Sequence, residues 1–192
     1  MWRARACRDR CPGPDVLAET HGCGVGVPHP RLFTAPSMPR ALPKVVSGKL
    51  QTMRIVVGAD DEGPVADTVV EELRSRGHDV TVLARGQWPD VAARVGHAVA
   101  AGEADQGVLF CWTGTGTSIA ANKVPGVRAA LVWEPWIAEG ARKWNDANVL
   151  VMSLKRTEPA TARAIVHAWL SVEAPDPDEA ANIARLGELD ER

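Results

Sequence analysis

GVLFCWTGTGTSIAANK (residues 107–123) begins as a short apolar run, turns through a Gly/Thr loop and ends in a stretch of small residues. Gly107–Cys111 has the length and continuous hydrophobicity of a strand buried on both faces, and a helix is expected around Ser118–Lys123. The flanking sequence repeats this strand–loop–helix unit. Upstream, Arg54–Gly58 (RIVVG) is a β-branched strand, and Pro64–Arg76 places Val65, Val69, Val70 and Leu73 near helical spacing, with Gly77 as a stop. Asp79–Leu83 follows as a strand, and Pro89–Ala101 as a helix with proline in its first turn. Downstream, Val127–Trp133 and Asn148–Ser153 supply two more strands, and Pro135–Trp144 and Pro159–Val172 two more helices. Asp178–Asp190, with Ile183, Leu186 and Leu189 on one side, reads as a terminal helix. This alternation predicts an α/β fold, a Rossmann-like three-layer sandwich around a mainly parallel five-stranded sheet. Ligands of such a fold collect at the C-terminal ends of its strands.

Composition removes several classes of function. A chain of 192 residues, 45% hydrophobic and 24% charged, has the balance of one ordinary folded domain with or without a tail. No stretch approaches the roughly 20 uninterrupted apolar residues of a membrane helix. The net charge of −2 offers no general electrostatic case for nucleic acid.

The first 52 residues stand apart. They carry 8 Lys/Arg against 3 Asp/Glu, a net +5, and hold 7 of the 14 prolines and 3 of the 4 cysteines. Neither a helical nor a strand period runs through them, and no apolar core of a secretory signal is present. Cys7, Cys11 and Cys23 with His21 and His29 invite a zinc reading, but the C-x3-C-x9-H-x-C spacing fits no standard finger, and no metal is expected. The expectation is that residues 1–52 form a disordered or non-native extension, that Met53, which directly precedes RIVVGAD, is the natural start, and that residues 53–192 form the domain. Mass spectrometry of the native N-terminus tests it. The free thiol of the domain points to the cytoplasm.

Two strand-end loops carry the chemistry. The first strand runs into Gly58-Ala-Asp60-Asp61-Glu62-Gly63, three acids on one turn. The third ends in Cys111-Trp112-Thr113-Gly114-Thr115-Gly116-Thr117-Ser118. Its glycines permit close backbone approach, and successive N–H groups at a helix start make an anion nest. A cysteine facing such a nest is a usable base or nucleophile; taken alone, it reads first as a small buried hydrophobe, and the nest beside it reverses that reading.

These residues resemble the ribose-5-phosphate isomerase B family, which includes the galactose-6-phosphate isomerase subunits. The likeness runs from Met53-Arg-Ile-Val-Val-Gly-Ala-Asp60 through Cys111-x-Thr-Gly-x-Gly116-x-Ser118-Ile-Ala-Ala-Asn122-Lys-Val-Pro-Gly126 to Asn145-Asp-Ala-Asn148-Val. The resemblance implies a homodimer or dimer of dimers with sites built from both subunits. It implies interconversion of aldose and ketose phosphates through a cis-enediolate, with no cofactor and no metal. Cys111 would then be the base and Thr113 would serve the sugar oxygen. The amides of Trp112, Gly114, Thr115, Gly116, Thr117 and Ser118 would hold the enediolate charge. Asp60 would contact hydroxyl groups, Asn145 would line the pocket, and Arg142 is a retained cation.

The sequence departs from the family pattern at several of these points. Asp61 stands where the family has His, Trp133 where a ring-opening His is expected, and Trp88 where a Tyr is usual. Asp178-Glu-Ala-Ala-Asn182 replaces arginines that grip the phosphate, and Trp112 replaces a glycine. Acids opposite a phosphate dianion are unfavourable, which points away from ribose 5-phosphate, and the lost ring-opening His suits a short or acyclic substrate. A second reading is a regulatory module that binds a sugar or phosphate without turnover. A third, a nucleotide-binding Rossmann domain, lacks G-x-G-x-x-G after the first strand.

Overall fold

A computed structural model describes residues 52–190. The five candidate zinc ligands and the reading of residues 1–52 as an extension therefore lie outside the described residues, Thr52 excepted.

The strands are β1 (Arg54–Ala59), β2 (Asp79–Val82), β3 (Gln106–Cys111), β4 (Ala129–Leu131) and β5 (Val149–Ser153). They alternate with α1 (Pro64–Ser75), α2 (Trp88–Ala100), α3 (Thr115–Ala121), α4 (Pro135–Asn145) and α5 (Pro159–Leu170). A short 3-10 turn, Pro177–Glu179, leads into α6 (Ala180–Leu189). The sheet order is β2-β1-β3-β5-β4 and every pairing is parallel.

The central strands β3 and β5 are buried along their whole length, as their unbroken apolar runs require. On one face Ile55, Val57, Val108, Phe110, Leu150 and Met152 pack with α1, α4 and α5. On the other, Val56, Leu109, Val149 and Val151 pack with α2 and α3. Gly107 lets α2 approach the sheet, since a Cβ there would sit 2.6 Å from Val95 Cγ1. Four of the first five helices, α1, α2, α4 and α5, begin with proline in the first turn, where its missing N–H costs nothing.

Most boundaries shift by one or two residues from the sequence expectation, and two of the shifts bear on the site. The strand expected over Val127–Trp133 shrinks to Ala129–Leu131 because only those residues pair with β5 at the sheet edge. The helix expected around Ser118–Lys123 starts earlier, at Thr115, for a reason that lies in Gly114.

Candidate active site

β1 and β3 are neighbours, but the chain leaves them in opposite directions: β1 passes through α1 to β2, and β3 passes through α3 toward β4. Their C-terminal ends therefore bound the switch-point crevice where ligands of open α/β sheets bind. The Asp60 amide donates to the Phe110 carbonyl at 3.3 Å, so the acidic loop and the Cys111 loop start side by side.

Gly114 shapes the second loop. Its φ of +80° reverses the chain immediately after Thr113, which allows Thr115 to open α3. A Cβ there would collide with Leu131 Cδ1 and lie 3.2 Å from the Met152 carbonyl carbon. Cys111 is thereby held at the β3 tip, its carbonyl accepting from the Leu154 amide at 2.9 Å. Its side chain is 5% exposed. The Thr117 hydroxyl lies 3.4 Å from the sulfur. Thr113 and Thr115 are exposed, with their hydroxyl oxygens 2.7 Å apart. The first N–H groups of α3, from Thr115 onward, have no intrahelical acceptor. Trp88, at the start of α2, packs its ring against Gly116 and walls that side of the loop.

Trp112 is 58% exposed, yet its orientation is fixed. Its indole N–H donates to the Asp61 carboxylate at 3.1 Å, and the Lys155 ammonium lies 4.7 Å from the ring centroid. Its carbonyl accepts from the Ser153 hydroxyl at 2.5 Å and the Lys155 amide at 3.3 Å. The acidic loop is thus not the uncompensated cluster that the sequence suggests. The Trp112 indole N–H holds the Asp61 carboxyl below its ordinary value, the Glu62 amide adds to this, and Lys155 and Arg85 help. Glu62 pairs with Arg85 at 2.6 Å. Asp60 differs: burial pushes its carboxyl up from the ordinary range, and Oδ1 is buried without a partner.

Asp60, Asp61, Cys111, Trp112, Thr113 and the loop to Ser118 are therefore brought together at one sheet edge, and Trp133, 63% exposed, follows β4 at that same edge. Arg142 and Asn145 are not. They lie at the far end of α4, which runs back toward the start of β5, at least about 13 Å from Cys111 along the strands. Arg142 is buried, donates to the Ala147 carbonyl at 2.6 Å and to Asp146 at 3.4 Å, and lies over Trp169. Within the protomer its charge serves the α4–β5 corner. Asn145 lines a separate groove of about 460 Å³ with Asn122, Arg128 and Leu186. The Thr117 side chain is fully buried and points at sulfur and backbone, which leaves its amide as the group expected to face a ligand. Lys155 escaped the sequence reading, because only the β3–β5 pairing places it opposite Trp112.

A profile of the family described as Ribose/Galactose Isomerase matches residues 55–186. The chain belongs to that family. Over 142 residues it is 34% identical to the D-erythrulose-4-phosphate isomerase of Pectobacterium atrosepticum, a match spanning 70% of this chain and 93% of that one. It is 40% identical over 128 residues to the ribose-5-phosphate isomerase B of Escherichia coli, covering 62% and 85% of the two chains. The solved ribose-5-phosphate isomerase B of Clostridium thermocellum superposes with a TM-score of 0.69 at 34% identity, over 72% of this chain and 98% of that one. The protein is an isomerase of this family with its Rossmann-like fold. Among the described residues no helix is long and apolar enough to cross a membrane.

Proposed function

We propose that this isomerase interconverts an open-chain aldose phosphate and its ketose through a cis-enediolate, with Cys111 as the base, and that the substrate is a four-carbon sugar phosphate. The observation that carries the reading is the placement of the Cys111 sulfur at the β3 tip, at the switch point, beside the Trp112–Ser118 loop. The thiolate takes the proton on C2, forming S–H while charge moves onto the oxygens. Loop amides stabilise that charge, and the S–H returns the proton to C1. The exposed Thr113 and Thr115 hydroxyls exchange protons with O1 and O2. Lys155 receives the phosphate as a point charge, with Asp60 on a substrate hydroxyl.

The substrate follows from two supports. A tetrose 4-phosphate cannot close a furanose ring, because O4 carries the phosphate, so it needs no ring-opening histidine. A relative spanned over 93% of its length is named for a substrate of that kind. A second copy of the chain would cover the exposed Trp133 and Trp136 and bring Asn145 to the neighbouring site, so the active species is a dimer or a dimer of dimers. The test is a solvent-deuterium exchange screen over C3–C6 sugars with and without phosphate. Exchange is expected with the tetrose phosphate and absent in Cys111→Ala. Equal turnover of ribose 5-phosphate would refute the substrate.

A second reading, sugar binding without turnover, is favoured by one observation, the 5% exposure of Cys111. Thermal stabilisation by these sugars without exchange would establish it.

A further inference from the structure

The hydroxyl of Thr117 has no part in the chemistry described above, yet it is the side-chain group set against the sulfur. It is fully buried, with Oγ1 3.4 Å from Cys111 Sγ and 3.2 Å from the Gly114 carbonyl oxygen. A hydroxyl has one proton to donate and lone pairs with which to accept. Two arrangements therefore fit the same heavy atoms. With Cys111 as a thiol, S–H donates to Oγ1 and the hydroxyl donates to Gly114. With Cys111 as a thiolate, the hydroxyl turns to the sulfur. Gly114 is not stranded by this turn, because its carbonyl also accepts from the Ser118 amide at 3.1 Å. The backbones at both ends are fixed, by Leu154 on Cys111 and by the left-handed turn at Gly114.

We infer that Thr117 is a positioning residue whose hydroxyl follows the catalytic proton, donating to Cys111 when the sulfur is an anion and to Gly114 when the sulfur is protonated. This rests on the reading of Cys111 as base. When the substrate C–H breaks and S–H forms, the hydroxyl changes acceptor; when S–H breaks and the neighbouring C–H forms, it turns back. Nothing is oxidised or reduced, and Thr117 exchanges no proton with the substrate. Both groups are shielded from solvent, so water does not replace the lost donor.

The test compares Thr117→Val, Thr117→Ala and Thr117→Ser in the full chain, with folding checked by far-UV circular dichroism. Iodoacetamide alkylation is followed against pH by mass spectrometry of the Cys111 peptide, which separates it from Cys7, Cys11 and Cys23. Removing a hydrogen bond to a charged group moves the alkylation midpoint up by about one to two pH units in Val and Ala, and Ser restores the parent profile. The kcat profile on the acid side moves by the same amount. If whichever of Val and Ala folds keeps the parent alkylation profile, the inference is wrong. If Cys111→Ala retains turnover, the base reading fails instead, and the alkylation profiles still report on the hydroxyl–sulfur pair.

Discussion

Gly114→Ala is the perturbation that most directly probes the loop holding Cys111. The φ of +80° costs a residue bearing a Cβ about 1–2 kcal/mol. The new methyl would also meet Leu131 Cδ1 and sit 3.2 Å from the Met152 carbonyl carbon, where overpacking costs about 1–3 kcal/mol. The sum, roughly 2–5 kcal/mol, is a large share of the 5–15 kcal/mol that holds an ordinary domain folded. At about 2–4 °C per kcal/mol for a chain of this size, Tm falls by roughly 4–20 °C. Urea unfolding at constant m-value measures it. Leu131→Ala placed in the Gly114→Ala background separates the side-chain collision, which it relieves, from the backbone cost of about 1–2 kcal/mol and the Met152 contact, which remain. A Gly114→Ala protein within about 0.5 kcal/mol of the parent would refute the reasoning, because the loop would then accept a Cβ without moving.

Three further outcomes are expected. Lys155→Met raises KM for a phosphorylated substrate by about 10–100-fold and leaves KM for its unphosphorylated analogue near the parent value, read from steady-state kinetics. Arg142→Met, which leaves the Ala147 carbonyl without its buried donor while Asp146 keeps Arg128, costs about 1–3 kcal/mol in urea melts but leaves KM of the folded fraction unchanged. For His78, burial and then the charge of Arg76 hold the imidazole below its ordinary value; Nδ1 accepts from the Met53 amide, and Nε2 is buried without a partner. The unfolded chain therefore binds the proton more readily, so this contribution is complete above the unfolded value of about 6.5 and is lost as pH falls below it. Urea midpoints at pH 7.5 and 5.5 should differ less in His78→Gln than in the parent.

Much of the fold is legible in residue pattern. The β-branched runs at Arg54–Gly58 and Asn148–Ser153 leave little alternative to buried parallel strands, and proline and glycine punctuate the helices between them. The start of α3 is hidden because Thr and Gly are poor helix formers; the left-handed turn at Gly114, not local propensity, sets it. The Cys111 loop and the acidic loop are also legible, since both follow strands whose ends must meet. What the linear sequence conceals is direction and depth. α4 runs antiparallel to the strands, so Arg142 and Asn145 finish at the opposite sheet edge from Pro135. Thr117 returns beneath Cys111 only because Gly114 reverses the chain, and Lys155 reaches Trp112 only through the β3–β5 register. The charge argument against phosphate also weakens in three dimensions, since Trp112, Arg85 and Lys155 engage the acids that the sequence leaves bare.

The central claim is that one sulfur moves a proton between adjacent carbons. Its most direct measurement is NMR detection of deuterium entering C1 or C2 of a tetrose phosphate in D₂O, with the parent protein and with Cys111→Ala. The account predicts incorporation at parent turnover rates and a loss of at least about 100-fold in the variant, the scale of a missing general base. Undiminished incorporation by a folded Cys111→Ala protein would contradict it.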